Sequence, residues 1–425
     1  MYTTNYETSK LSNGIRVVSE YIPYVKSVAV GIWVGAGSRF EDERQNGISH
    51  FLEHLFFKGT EKRTAKDIAE SLDAVGGQLN AFTTKEYTCY YAKVLDEHLE
   101  LAIDVLSDMF FNSKFSEKDI NKEREVIIEE IKMYEDTPDE IIHDVFSQTI
   151  WEGHPLGKPV LGTEETISTF SKADFLNFID THYVPDNIVI ALAGRVEHAK
   201  VIELLEKLFG QAKKGNVHKY PLPPHNHSQM QNIYRDVGQV QICLGSPGLP
   251  QDHPQIYPLF ILNSVLGGGL SSRLVQEVRE ERGLAYSVYS YHSSFSDAGL
   301  FTFYAGTRPD NYEQVIQLII REAFSIKEYG ITEKELTKSK EQLKGNLYLG
   351  LESVGSRMTR IGRSLLCLNR LITPEEVVAN IDQVSLKDVK ELASSIFQED
   401  KFTITTIGPI KNTKDKNFFF NEVRV

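Results

Sequence analysis

Three polar side chains lie close together in an otherwise apolar stretch, GISHFLEHLFFKGT at residues 47–60. At 100° per residue, a helix places His50, Glu53 and His54 within an arc of about 100° and the apolar residues on the opposite side. Histidines four residues apart can both direct a ring nitrogen at one metal ion, and the carboxylate one residue before the second histidine projects beside them. The stretch therefore predicts a metal site, with an ordinary pair of helix-surface histidines as the alternative.

The order HxxEH, the reverse of HExxH, is among the known zinc-protease motifs. A catalytic zinc needs a third protein ligand and an open position for water. The charged helix that begins near Ser116 offers Glu123 and Glu130, which are seven residues apart and lie within about 20° of each other on one face. Glu129 points about 120° away from them. Geometry favours this glutamate pair over its neighbours, although a charge run on a helix is more often a solvated face.

Composition and charge exclude several classes of function. A chain of 425 residues favours two domains, and the net charge of −13 argues against nucleic acid or an anionic membrane surface as the main partner. Cys89, Cys243 and Cys367 are far apart, which favours a reducing compartment over a disulfide framework. There is no pattern typical of a signal peptide and no apolar run of about 20 residues. We therefore expect a cytoplasmic protein without membrane contact.

Predicted strands and helices alternate along the chain, which indicates an α/β fold. A strand-rich start, two helices, a hairpin and two further helices are followed by a Pro-rich segment, after which the order of elements starts again with two long helices after its hairpin. We expect two homologous halves, each an antiparallel-rich sheet covered by helices. The predicted domains are residues 1–212 and 231–425, joined by a linker at 213–230.

The second half echoes the first, yet it lacks the polar cluster. FSEKDINKEREVIIEEI, from Phe115, aligns without a gap with ITEKELTKSKEQLKGNL, from Ile331. That register places Ser339 and Asn346 opposite the two glutamates. A looser alignment places other residue types opposite the HxxEH residues, namely Phe260, Asn263 and Ser264. A cluster present in only one of two similar halves is expected of a functional site and not of a fold requirement.

HFLEH followed by ERxxxxxE resembles the pitrilysin-type (M16) zinc peptidases, the inverzincins. The 76 residues from His54 to Glu130 are similar to the spacing in that family. The resemblance covers the whole chain, including its two-half organisation. ISHFLEHLFFKGT and AYSVYSYHSS are most similar to the short-chain branch that contains mitochondrial processing peptidase and its bacterial relatives.

The resemblance implies a role for each residue of the cluster. His50, His54 and Glu130 would hold one zinc ion per chain, Glu53 would be the general base for the attacking water, and Glu123 would support the site from behind the ligands. Zinc in such a site lowers the pKa of water and polarises the scissile carbonyl. The implied activity is that of a zinc metalloendopeptidase.

Two further segments match the family. LNAFT resembles the edge strand along which a substrate peptide is bound, so Asn80, Ala81 and Phe82 would contact substrate through main-chain hydrogen bonds. Arg279 and Tyr286 match the Arg/Tyr pair of the C-terminal half, which implies contact with the substrate backbone and the transition-state oxygen. From the residues alone, these are an ordinary strand, a helix charge and a strand aromatic.

We therefore expect a zinc-dependent endopeptidase for extended peptides or unfolded segments. One alternative is a non-catalytic binding or assembly subunit of the same clamshell fold, and another is a hydrolase of non-peptide substrates. The resemblance further implies that this chain supplies one bowl of a clamshell and forms a homodimer. Arg279 and Tyr286 of one subunit would then serve the zinc of the other.

Overall fold

The computed structural model describes residues 5–212, 215 and 221–421. The strands are β1 Asn5–Lys10, β2 Arg16–Tyr21, β3 Ser27–Val34, β4 Gln78–Thr83, β5 Thr88–Leu95, β6 Ile188–Gly194, β7 Met230–Tyr234, β8 Val240–Pro247, β9 Ala285–Ser294, β10 Gly299–Thr307 and β11 Thr403–Gly408. The α-helices are α1 Ile48–Phe56, α2 Ala65–Asp73, α3 Leu99–Asn112, α4 Glu117–Glu135, α5 Pro138–Ile150, α6 Glu164–Ile167, α7 Lys172–His182, α8 His198–Phe209, α9 Ile256–Leu266, α10 Tyr312–Tyr329, α11 Glu333–Gly350, α12 Val354–Leu368, α13 Pro374–Gln383, α14 Leu386–Ile396 and α15 Lys416–Asn421. A π-helical segment, Val275–Glu280, precedes β9.

The first compact unit comprises the described residues of Met1–Lys132, Lys158–Pro221 and Leu349–Thr373. Its six-stranded sheet has the order β1-β2-β6-β3-β5-β4. Neighbouring strands are antiparallel except β2 and β6. Strands β3 and β6 are almost entirely buried, as expected for Val- and Ile-rich central strands. Strand β4 lies at the edge of the sheet.

Helices cover both faces of this sheet. One face packs against α1, α3 and neighbouring helices in the larger hydrophobic cluster. The other face packs against α12, whose Val354, Met358 and Ile361 contact Trp33 and its neighbours. A β-carbon at Gly362 would lie only 2.4 Å from the Trp33 ring nitrogen, so the close approach of α12 to the sheet requires glycine there.

The second compact unit comprises the described residues of Met133–Gly157, Leu222–Tyr348 and Pro374–Val425. Its sheet has the order β7-β11-β8-β10-β9, and only β7 and β11 are parallel. Helices α9, α10 and α14 contribute to the core on one face. Helix α5 packs on the other face, where Ile142 and Phe146 contact Cys243 and Ile407.

The two units have equivalent topology, as the internal repeat predicts. The order β2-β6-β3-β5-β4 matches β7-β11-β8-β10-β9, with the single parallel pair at the same place. The units nevertheless alternate along the sequence, since α12 belongs to the first unit and α5 to the second. The boundary predicted at 213–230 stays a prediction, because residues 213, 214 and 216–220 lie outside the described residues.

The α/β fold with two helix-covered sheets is confirmed. Arg279, interpreted from the sequence as a helix charge, lies in the π-helical segment. The two long helices expected after the second hairpin are α10 and α11, and the structure adds α12, α13 and α14 after them. In the part of the chain that the structure describes, no helix combines the length and the apolar character that crossing a bilayer requires.

Candidate metal centre

A buried carboxylate fixes the start of α1. Glu41 accepts hydrogen bonds from the backbone nitrogens of Gly47, at 2.8 Å, and Ser49, at 2.9 Å. A negative charge at this end of a helix complements its dipole. Phe51 and Leu52 on the far side of the helix are fully buried. Helix α1 is therefore held at its end and along its apolar side, and its polar face is directed toward α4.

The structure brings His50, His54 and Glu130 together. One potential ligand atom from each residue lies within 4.8 Å of the other two, and no other such group of three occurs within residues 5–212, 215 and 221–421. Oε2 of Glu130 is 3.9 Å from Nε2 of His50 and 3.7 Å from Nε2 of His54. Two imidazoles and one carboxylate form a ligand set that catalytic zinc sites use. The residues present therefore fit a zinc ion.

The two histidines are held differently. Burial, followed by the proximity of His54, lowers the pKa of His50 to about 3. His50 is thus neutral near pH 7, as metal ligation requires. Its Nδ1 is buried and makes no hydrogen bond with the described residues, so packing holds the ring. Nδ1 of His54, in contrast, faces a carboxylate.

That carboxylate belongs to Glu123, which is only 1% exposed. Its Oε2 lies 3.4 Å from Nδ1 of His54, on the side of the ring away from Glu130. Its Oε1 forms an ion pair with Nζ of Lys58 at 2.9 Å. A carboxylate behind a ligating histidine fixes the ring orientation and the tautomer. Lys58 was missed by the sequence analysis, although its position four residues after His54 is a signal that could have found it.

Glu53 lies beside the three donors and contacts strand β4. Thr83 donates a hydrogen bond from Oγ1 to Oε2 of Glu53 at 2.5 Å. Burial raises the pKa of Glu53, and the charge of Glu130 adds to this, while Thr83 and His54 act in the opposite direction. Thr83 is a second residue that the sequence analysis missed, although it is the last residue of the LNAFT segment.

The residues predicted to contact substrate on β4 lie on the outer strand of the first unit's sheet. Asn80 is exposed, Phe82 is half-buried against Trp33 at 5.7 Å between ring centroids, and Ala81 is buried. One side of β4 pairs with β5, and the other side pairs with no described strand. An open strand edge of this kind can accept a peptide through main-chain hydrogen bonds.

The predicted Arg/Tyr pair lies in the second unit. Arg279 is in the π-helical segment, and Tyr286 is 81% exposed on the edge strand β9. The Arg279 guanidinium lies 4.9 Å from the centroid of the Tyr286 ring, which is within cation–π range. The structure thus places Arg279 and Tyr286 in contact with each other.

Named bacterial relatives share this sequence along almost its whole length. A Bacillus subtilis protein named uncharacterized zinc protease YmxG is 48% identical over 400 residues, covering 94% of this chain and 97% of that protein. A Streptomyces coelicolor protein named uncharacterized zinc protease SCO5738 is 43% identical, covering 95% of this chain and 89% of that protein.

Two family profiles match successive parts of the chain. The profile described as Insulinase (Peptidase family M16) matches residues 16–164, and the one described as Peptidase M16 inactive domain matches residues 169–343. The candidate metal donors lie in the first part, and Arg279 and Tyr286 lie in the second. The chain belongs to the M16 peptidase family. The predicted resemblance to M16 peptidases is confirmed.

Solved structures show the same fold. A crystal structure of a protease from Helicobacter pylori has a TM-score of 0.90 and 25% identity, covering 95% of this chain and 99% of that one. A Pseudomonas fluorescens structure described as a peptidase M16 inactive domain has a TM-score of 0.90 and 20% identity, covering 96% and 99%. The second comparison supports the fold alone.

Proposed function

We propose that this chain is a zinc-dependent endopeptidase that cleaves extended peptides or unfolded segments. The observation that carries the proposal is the convergence of His50, His54 and Glu130 within 4.8 Å, with the Glu53 carboxylate beside them. The names of the relatives, which call them zinc proteases, support the same activity. The two imidazoles and Glu130 would hold one zinc ion per chain.

Each residue has a distinct part in this proposal. Zinc, when bound, supplies Lewis-acid polarisation and makes water more acidic. Glu53 accepts the proton of the attacking water and returns it to the leaving amine. Glu123 orients the His54 ring. The open edge of β4 at Asn80 pairs with the substrate backbone and therefore selects extended shape more than sequence.

Hydrolysis of a quenched peptide library, with products identified by mass spectrometry, tests this function. We expect cleavage that a chelator abolishes and that zinc restores. Zinc binding without cleavage of any peptide would favour the alternative, a non-catalytic binding or assembly subunit. Cleavage that persists in the chelator would contradict the zinc mechanism.

We further propose a cytoplasmic homodimer whose two sites are shared between subunits. The three cysteines are free thiols, which supports a reducing compartment. Exposure of the Arg279–Tyr286 pair supports a role in contacting a substrate. In a shared site, this pair from one subunit serves the zinc held by the other.

Complementation tests the shared site. Glu53→Gln removes the base of a subunit's own metal site, and Tyr286→Phe removes its contribution to the partner's site. In a mixed dimer, both changes fall on one composite site and the other is wild type. We expect the mixture to recover up to half of the wild-type rate per dimer. Demonstrated subunit exchange without recovered activity would refute sharing.

A further inference from the structure

Lys58 lies two residues beyond the end of α1 and contacts the carboxylate behind the metal donors. Nζ of Lys58 is 2.9 Å from Oε1 of Glu123, and Oε2 of the same carboxylate is 3.4 Å from Nδ1 of His54. We propose that Lys58 is a positioning residue for zinc: it fixes the Glu123 carboxylate, which then orients the His54 ring toward the ion. This inference rests on the zinc site of the proposed function.

The burial of Glu123 makes its orientation dependent on its partners. Its side chain is 2% exposed, whereas that of Lys58 is 32% exposed. A buried carboxylate that loses one partner is left partly unsatisfied, and a single contact with His54 does not fix its orientation. The adjacent Arg124 does not replace Lys58, because its side chain donates to the backbone oxygens of Ile167 and Phe170.

The backbone next to Lys58 is held against the segment that leads into α4. Gly59 has a φ of +124°, which favours glycine, and its oxygen accepts a hydrogen bond from the Lys114 nitrogen at 3.1 Å. Thr60 forms a β-bridge with Ser113. Helix α4, which carries Glu123, begins at Glu117. Main-chain contacts therefore hold the segments that carry Lys58 and Glu123 together, as expected if the fold itself positions this ion pair.

Simple electrostatics predicts that Lys58 weakens zinc binding, whereas a positioning role predicts that it strengthens zinc binding. A lysine close to a divalent cation repels it, so removal of the lysine alone would strengthen zinc binding. If Lys58 acts through the orientation of Glu123 and His54, its removal weakens zinc binding instead. The sign of the change therefore separates positioning from mere proximity.

The zinc dissociation constant of the full chain, measured by competition with a chromophoric chelator, tests the inference. We expect Lys58→Met to weaken binding about tenfold or more, as losses of partners behind metal ligands do. Lys58→Arg should stay close to wild type, because a guanidinium also donates to carboxylates. Lys132→Met is the matched control on α4, since its partner Glu129 is exposed. Thermal melting of the metal-free variants establishes that they fold.

A double-mutant cycle tests whether Lys58 acts through Glu123. If it does, Lys58→Met should add almost nothing to the loss caused by Glu123→Gln. Additive losses, or unchanged or tighter binding by Lys58→Met alone, would overturn the inference. A wild-type chain that binds no zinc would overturn this inference and the proposed function together. Zinc binding without peptidase activity would overturn only the function, and the comparison of affinities would still decide the role of Lys58.

Discussion

The α1/α4 face of the first unit and the α9/α11 face of the second are equivalent in topology and differ in chemistry. In the first, His54 faces two carboxylates, those of Glu123 and Glu130. In the second, Ser264, aligned with His54, donates a hydrogen bond to Gln342 at 2.9 Å. Phe260, aligned with His50, stacks on His292 at 5.0 Å between ring centroids. The same framework thus holds candidate metal donors in one unit, whereas the aligned residues of the other are Phe260, Asn263 and Ser264, which carry no charge.

One contact is common to both faces. Thr83 on the edge strand β4 donates to Glu53 at 2.5 Å, and Ser290 on the edge strand β9 donates to Asn263 at 2.8 Å. A hydroxyl from the edge strand therefore reaches the equivalent position of the helix in each unit. The contact belongs to the fold, and the residue type of the acceptor decides whether it also serves catalysis.

Changing Glu53 to an amide makes the first face resemble the second at this position. We expect Glu53→Gln to lower peptide hydrolysis by about a thousandfold, because a positioned general base contributes roughly 10²- to 10⁴-fold. Zinc content should stay at the wild-type level, since Glu53 is not among the metal donors. Single-turnover hydrolysis and metal analysis of the same preparation measure both. Substantial remaining activity would remove Glu53 from the mechanism.

The proposed third ligand, Glu130, can be distinguished from its neighbour Glu129 on α4. We expect Glu130→Gln to weaken zinc binding at least about 100-fold, more than loss of a partner behind the ligands does. Glu129→Gln is the matched control, because Glu129 is exposed and pairs with Lys132 at 3.1 Å. Its zinc content, measured after dialysis against a weak chelator, should equal that of wild type. Equal retention by the two variants would be incompatible with Glu130 as a ligand.

Helix periodicity was sufficient to predict the local parts of the site. The shared face of His50, Glu53 and His54 follows from 3.6 residues per turn, and so does the stripe formed by Glu123 and Glu130. The gap-free alignment of the halves is supported at the helix starts. Ser116 and Asp119 cap α4, and Thr332 and Glu335 cap α11 in the same register.

Contacts between distant segments were not predictable in this way. The hydrogen bond between Thr83 and Glu53 depends on where β4 enters the sheet, and the ion pair of Lys58 with Glu123 depends on how α1 and α4 pack. The sequence likewise does not show that α5 packs in the second unit and α12 in the first. Apolar periodicity shows that a helix face is buried, but it does not identify the sheet that buries it.

The hydroxyl contact that both units share can be used to separate an effect on stability from an effect on catalysis. Removal of one hydroxyl, by Thr83→Val or by Ser290→Ala, should cost about 1 kcal/mol of stability in each case. Only Thr83→Val should also reduce activity, by about tenfold in kcat with little change in KM, because its partner is the proposed base. Thr83→Ser should restore the rate. Equal effects of Thr83→Val and Ser290→Ala on kcat would mean that the contact with Glu53 is only structural.

The smallest effect is expected at the cap of α11, where the second unit has an ion pair with no role in the proposed site. Burial would raise the pKa of Glu335, but hydrogen bonds from Arg273 and Thr332 outweigh it and lower the pKa to about 2. A carboxylate with a pKa lower in the folded than in the unfolded chain stabilises the fold above its unfolded pKa. This contribution is therefore complete above about pH 5 and disappears as the pH falls toward 2.

We expect Glu335→Gln to lower stability by about 1 kcal/mol at pH 7, since the pair is bidentate, at 2.7 and 3.0 Å, but partly exposed to solvent. Melting temperatures of the wild type and the variant, measured from pH 7 to pH 3, should converge as the pH falls. Glu391→Gln is the control, because its pair with Lys387 is more exposed. Zinc affinity should be unchanged in both variants, because the donors all lie in the first unit. A stability difference that is independent of pH, or that grows as the pH falls, would show that the pKa of Glu335 is not lowered in the folded chain.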